Sequence, residues 1–489
     1  MSVATLWAMA PLVLLAGGMM GLGLTTIRAA GATLALLLLL TALSPAGTPP
    51  VAVVWVDALP DAVLLTLTVV YTLLFGLLLY RLVEASGVLE TLLRALGALG
   101  RGPLERLMWV LLVFGPLFES ISGFGLAIVI VLPMLTALGY SPFRAMVLSL
   151  ISGLAVPWGA LGIGMTLGAT MVSMPLATVG AATAVLAAPG YLVFWGTALG
   201  LARLGEGVRG GGALRGLLAV AVFSAGVWVS NRWGSPELGG VTGPLALAVW
   251  LYATGGGLQR DGERALPSPG TVLRAASPYL LLVALLATSR FVAPLQAWLT
   301  SHLVLALPGG SFGLPLLYNP GFSLALACLA ALPLFGPTGG RRAALAASLR
   351  QWSRAALGVL LLVLVARVMF EAGMIRALAQ AGGNLPAWLG APVMAGIAGL
   401  GGFLTGSVAG ANALFVNFQV AMAQRLALPE LWVVAVQQMV AAGFTTFSPA
   451  RIVFASSLTG QAHAEGAAMR RMLPVAAGLV LVGALALWP

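Results

Sequence analysis

Gly115-Pro-Leu-Phe-Glu-Ser-Ile-Ser-Gly-Phe-Gly125 and Gly402-Phe-Leu-Thr-Gly-Ser-Val-Ala-Gly-Ala-Asn412 are the two stretches whose reading decides the fold. Each interrupts a long apolar run, 107–140 in one case and 393–422 in the other, with small and polar residues. In hydrocarbon, a backbone that leaves the helix frees N–H and C=O groups that only protein or a water-filled cavity can satisfy. Two such breaks therefore predict a polar hollow at membrane depth. An offset of 287 residues superposes them without a gap, pairing Gly115 with Gly402, Leu117 with Leu404, Ser120 with Ser407, Gly123 with Gly410 and Pro142 with Pro429.

Working outward, the rest of the chain reads as membrane-spanning. Of its 489 residues 60% are hydrophobic and 8% charged, against about a quarter charged in soluble domains. Several segments approach the ~20 apolar residues that cross a ~30 Å hydrocarbon core. The short alternating segments of a membrane barrel are absent. The fold expected is an all-α polytopic membrane protein with about twelve transmembrane helices. Their places are 4–24, 29–46, 61–81, 143–165, 177–202, 216–232, 241–256, 277–298, 321–337, 355–373, 430–459 and 473–488, with re-entrant or broken hairpins at 107–140 and 393–422. No arginine precedes Arg28, so the N-terminus lacks the charged start of a cleaved signal peptide and 4–24 reads as a true span.

The net charge of +11 comes wholly from arginine, placed in short loops. That pattern sets topology rather than a nucleic-acid groove. Arg28, Arg81, Arg94, Arg101, Arg106, Arg144, Arg203, Arg209, Arg215, Arg260, Arg264, Arg274, Arg341, Arg342, Arg350, Arg354, Arg470 and Arg471 fall on one side, and Arg232, Arg376 and Arg425 on the other. The rich side reads as cytoplasmic, with both termini outside and the chain in the cell inner membrane. This works only if each hairpin leaves the bilayer on the side it entered.

The same offset carries 29–46 onto 316–333, 61–81 onto 348–368, 143–165 onto 430–452 and 177–202 onto 464–489, each pair running in opposite senses. The expected organisation is a first inverted repeat over 1–203, a connector with two helices over 204–276, and a second inverted repeat over 277–489. Inverted repeats with broken helices are a mark of secondary transporters, although some channels also have them.

Few ionisable residues fall within the spans, where a mid-bilayer charge costs roughly 2.5–3.5 kcal/mol on insertion scales. Arg367 and Glu371, four apart on one helix face, are expected to form a structural ion pair. Arg290 and Arg451 lack a nearby partner in sequence; each is expected either to grip a carboxylate with two parallel hydrogen bonds or to pair with Glu119 or with backbone carbonyls. Glu119, directly before the first break, is the candidate to load and release a proton. Ser120, Ser122, Gly123 and Gly125 in one break, and Ser407, Gly410, Asn412, Asn417 and Gln419 in the other, are the candidate substrate-binding residues, since half-helix N-termini cradle anions. Small residues that only permit close helix packing are the competing reading. The chain has no lysine, hence no phosphate loop of the Walker type. His302 and His463 stand in loops and are the only histidines, so neither a histidine metal site nor a serine–histidine triad is expected. Cys328 is the only cysteine. No cofactor and no enzymatic activity are expected; movement against a gradient must draw on an ion gradient.

Phe118-Glu-Ser-Ile-Ser-Gly-Phe-Gly125 followed by Leu138-Gly-Tyr-Ser-Pro142 resembles the first signature of the L-lactate permease family. Thr405-Gly-Ser-Val-Ala-Gly-Ala-Asn-Ala-Leu-Phe415, Asn417-Phe-Gln419 and Ser448-Pro449 resemble the second, and Pro278-Tyr-Leu-Leu-Leu with Thr288-Ser-Arg290 is also similar to that family. The resemblance covers most of the chain and implies proton-linked uptake of L-lactate or related 2-hydroxy monocarboxylates. The partners implied are a small carboxylate and the lipid bilayer, with a homodimer left open. Two positions depart from the family's pattern: Val408 stands where relatives carry an acid, and Arg451 where they carry a small polar residue. The added positive charge leaves open another organic or inorganic anion, sodium coupling, or an anion channel.

Overall fold

The computed structural model describes residues 3–43, 50–87, 102–123, 125, 127–203, 212–255, 268–334, 340–383, 385–461 and 464–488. Arg94, Arg101, Arg209, Arg260, Arg264 and His463 lie outside the described residues, as does Phe124 of the first break.

The helices of the first half are α1 (Val3–Met20), α2 (Thr26–Ala42), α3 (Val51–Ala85), α4 (Pro103–Met108), a π-helical segment (Trp109–Phe114), α5 (Gly115–Ser122), α6 (Ala127–Ala137), α7 (Pro142–Ile151), a 3-10 segment (Ser152–Trp158), α8 (Gly159–Met171) and α9 (Leu176–Arg203). Next come α10 (Ala213–Trp233), a 3-10 turn (Pro236–Leu238) and α11 (Gly239–Gly255). The rest is α12 (Pro269–Phe291), α13 (Ala293–Ser301), β1 (Val304–Leu305), β2 (Leu314–Pro315), α14 (Pro320–Ala331), a 3-10 turn (Leu332–Leu334), α15 (Gly340–Glu371), α16 (Met374–Gly382), α17 (Ala387–Thr405), α18 (Val408–Arg425), α19 (Glu430–Thr445), α20 (Pro449–Thr459) and α21 (Glu465–Ala486).

Among the described residues, ten helical stretches are long and apolar enough to cross a membrane, and four shorter apolar helices accompany them. This differs from the expected twelve spans in identifiable places. The single helix expected over 277–298 divides at Val292, because Pro294 takes the first turn of a new helix and its missing N–H ends the old one. The arm Ala387–Thr405 of the second hairpin is itself long enough to cross, since its glycines keep helical geometry until Gly406 turns left-handed. The purely helical expectation also missed the ladder of β1 on β2, in which Val304 pairs with Pro315 and Leu305 with Leu314.

α3 and α15 form a long antiparallel pair, pinned by Arg367 on Asp61 at one end and Trp352 Nε1 on the Val70 carbonyl farther along. α8 and α18 pack against this pair and against each other. The stretches Pro142–Met171 and Glu430–Thr459 are the most enclosed, with 94% and 83% of their most apolar windows buried. Both are broken midway, and enclosure by protein is the condition under which a break is tolerated at membrane depth. In the first, Ala160, Leu161 and Gly162 are all left-handed; in the second, Thr446 to Ser448 interrupt the helix before Pro449 starts another. Left-handed backbone at Ala160 and Leu161 costs free energy that neighbouring structure must offset, and such residues cluster at functional sites.

Candidate functional site

Four interruptions converge on one place. Pro116 cannot donate an amide hydrogen bond. Upstream of it the helix widens into the π segment, with Gly115 N–H reaching back to the Val110 carbonyl. α5 then ends at Gly123, whose φ of +67° and whose contact with Ala160 leave no room for a side chain: a Cβ there would lie 2.8 Å from the Ala160 Cβ. On the opposite wall, Ser407 caps α18, its hydroxyl accepting the Gly410 N–H at 3.4 Å. Gly406, left-handed at φ +61°, makes the turn that lets Ser407 do so.

Between these breaks lies a small cavity of about 40 Å³, lined by Val69, Glu119, Gly123, Val156, Gly159, Ala160, Ile163, Gly164, Gly406, Ser407, Val408, Ala409 and Arg451. Glu119 and Arg451 are the charged members of that lining. They come from opposite halves of the sequence and meet at 2.9 Å, Arg451 Nη2 donating to Glu119 Oε1, with both residues buried. The Glu119 carboxylate also accepts the Gly125 N–H, at 3.2 Å to Oε1 and 3.1 Å to Oε2. Arg451 Nε is buried without an acceptor, and Gly125 and Gly153 pack close to the guanidinium. Ser407 to Ala409 at the N-terminus of α18, and Ile163 and Gly164 where right-handed helix resumes in α8 after Gly162, line the cavity, so the partial positive charge of both helix starts adds to that of Arg451.

The other candidate residues are distributed around this centre. Ser120 donates to the Pro116 and Gly240 carbonyls, and Ser122 to that of Phe118, so their hydroxyls serve helix packing. Gly410 packs on Thr405. Asn412, fully buried, donates to the Gly164 carbonyl of the opposing broken helix and to Gln438 Oε1. Gln419 donates to the Met394 carbonyl and to Gln437 Oε1, while Asn417 is half-buried with its Nδ2 unpartnered. Arg290 stands away from the cavity lining: it bonds Glu237 at 3.1 Å and the Tyr318 carbonyl at 2.8 Å, and its guanidinium carbon lies 3.7 Å from the centre of the Tyr318 ring. A buried guanidinium is retained where a carboxylate and a carbonyl satisfy it. Arg367 bonds Glu371 at 2.7 Å, and also Asp61 at 2.7 Å.

Asp61, Glu237, Gln437 and Gln438 were not singled out from the sequence. Asp61 stands at the first residue of an expected span, where an acid reads as a solvated end. Glu237 stands in a short loop. In both cases the partner arginine is far along the chain, so no spacing betrays the contact. Gln437-Gln438 inside an apolar run was a usable signal, since paired amides at that depth require partners.

A family model described as "L-lactate permease" matches residues 4–488. An L-lactate permease of Streptococcus iniae is 27% identical over 394 residues, covering 75% of this chain and 80% of that protein. A second relative, from Haemophilus influenzae, is 23% identical over 446 residues, covering 82% of this chain and 83% of its own length. The crystal structure of the YdaH transporter of Alcanivorax borkumensis matches with a TM-score of 0.53 at 15% identity, over 94% of this chain and 97% of that one, which is a likeness of fold.

Proposed function

This chain belongs to the L-lactate permease family of membrane transporters, and from that premise we propose that it imports L-lactate or a related 2-hydroxy monocarboxylate by proton symport. The observation that carries the reading is the buried Glu119–Arg451 pair on the wall of the cavity between the breaks. A guanidinium beside two helix N-termini suits a small carboxylate. A buried carboxylate on the same wall is suited to carry a proton. Gly123, Ser407 and Arg451 contribute to the binding wall, and Glu119 is the coupling group. Ser120, Ser122, Asn412 and Gln419 hold the broken segments in place.

The inverted-repeat organisation is part of the same proposal. The offset of 287 carries α3 onto 338–372, where α15 lies, and the start of α9 onto 463, so that α9 overlies α21 to the last residue, 489. It also carries the left-handed stretch at 160–162 onto 447–449, overlapping the interruption at Thr446 to Ser448. Two such halves exchanging conformations would expose the cavity to either side in turn. The chain then sits in the cell inner membrane with both termini outside.

Proteoliposome uptake tests the function. Labelled L-lactate should accumulate against its gradient when an inward proton gradient is imposed. Flux that only equilibrates lactate would favour a channel, and accumulation that requires sodium in place of the proton gradient would assign the coupling to sodium.

A further inference from the structure

We propose that Glu119 and the substrate carboxylate are alternative occupants of one guanidinium, so that each anion taken up requires one proton on Glu119 and transport is electroneutral; this rests on the lactate reading above. Arg451 Nη2 is spent on Glu119 Oε1, while its Nε is buried with no acceptor. One edge of a guanidinium presents Nη2 and Nε as a fork that matches both oxygens of a carboxylate. In the state described here Glu119 takes one prong of that fork and leaves the other empty, so the grip is incomplete.

Glu119 can release the arginine without being stranded. Its two oxygens already accept the Gly125 N–H, and a protonated carboxyl keeps that bond with an acceptor oxygen. Burial enforces the exchange. Arg451 cannot shed its charge, and a buried ion without a partner is strongly disfavoured. The site is therefore neutral with Arg451 on Glu119, and neutral again with Arg451 on the anion and a proton on Glu119. The step balances: a proton passes from water to Glu119, the Arg451–Glu119 contact opens, and the substrate carboxylate closes on Nη2 and Nε. Release on the far side reverses it.

Among the residues lining the cavity, Glu119 is the one acid; Glu465 is engaged by Ser456 of α20 and Glu237 by Arg290. The π segment, α6, the 3-10 segment 152–158 and α8 carry no acid, base, tyrosine, histidine or cysteine, and Arg451 is the only charged residue of α20. On α3, Asp61 is held by Arg367 and Ser311, Asp57 is exposed, Tyr71 packs on Phe75 and Gly321, and Tyr80, Arg81 and Glu84 contact one another. On α11, Tyr252 is exposed, and Tyr279 of α12 packs edge-on against Phe118.

Equilibrium binding of L-lactate to the purified protein, measured across a pH series, tests the exchange. Linkage of one proton to one anion makes the wild-type Kd rise about tenfold per pH unit on its alkaline limb. Glu119→Gln should bind as tightly as the wild type does at acid pH and show no slope. The double variant Glu119→Gln/Arg451→Ser, which buries no unpaired charge, should lose lactate binding by at least about a hundredfold, the scale of a charged hydrogen-bonded pair. A wild-type slope persisting in Glu119→Gln, or wild-type affinity in the double variant, overturns the exchange while leaving lactate transport standing. A wild-type protein that binds no lactate at any pH takes both readings down.

Discussion

At the residue scale, the first break is governed by space. Gly123 combines left-handed backbone with a contact that a methyl group would violate. Gly123→Ala should lower stability by about 1–3 kcal/mol and reduce uptake, read as a lower Tm in detergent and a slower initial rate in proteoliposomes. Glu119→Gln should abolish gradient-driven accumulation while lactate exchange continues; full accumulation in that variant would remove Glu119 from coupling. Arg290 makes a contrasting case. Its buried pair with Glu237 packs against the left-handed stretch at Gly162, where the Glu237 backbone is a near neighbour. Arg290→Leu strands a buried carboxylate and should cost about 3–5 kcal/mol. Arg290→Leu/Glu237→Leu should recover most of that stability and keep the wild-type lactate preference, checked by thermal unfolding and competition uptake. A changed preference would bring Arg290 back into the anion pathway.

At the element scale, Asp61 joins three pieces that the sequence keeps apart. It accepts from the Ser311 N–H at 2.7 Å and the Ser311 hydroxyl at 2.8 Å, and from Arg367 of α15. The segment from β1 to β2 is thereby strapped across α3 around Pro60 to Leu64. Below the strap, Ala62, Leu65 and Val69 of α3 and Val359 and Val363 of α15 run in one apolar seam with Ala160 and Ile163, which line the cavity. Asp61→Asn should loosen the strap, seen as faster amide hydrogen exchange over 303–316 with the α3–α15 pair left protected. Unchanged exchange there would show that the β ladder holds the strap without Asp61. The amide ladder of Asn412, Gln437, Gln438 and Gln419 ties α18 to α8, α17 and α19 in the same way.

At the scale of the whole molecule, the proposed orientation rests on the distribution of arginine. With Cys328 replaced by serine, single cysteines at Arg376 or Arg425 should react with an impermeant maleimide in intact cells, and one at Arg354 should react only after permeabilisation. The reverse pattern would invert the proposed topology and the direction of uptake inferred from it. The bilayer-spanning character, the two hairpin breaks and the Arg367–Glu371 pair were legible because each is local: composition, a run of small residues, and a four-residue spacing on one helix face. The β ladder and the division of 277–298 at Val292 were less so, because short pairing and a proline's effect depend on what surrounds them.

The amino-acid sequence by itself determined that the chain lives in a membrane and marked the breaks near Gly123 and Gly406, since hydropathy and runs of small residues are properties of neighbouring residues. It also left Arg451 with three kinds of partner: a substrate carboxylate, Glu119 or backbone carbonyls. Only the tertiary structure decided among them, bringing Arg451 onto Glu119, Arg290 onto Glu237 and Arg367 onto Asp61. A buried charge takes whichever opposite charge the packing delivers within reach, and across a sequence separation of 332 that is a matter of how the helices stack.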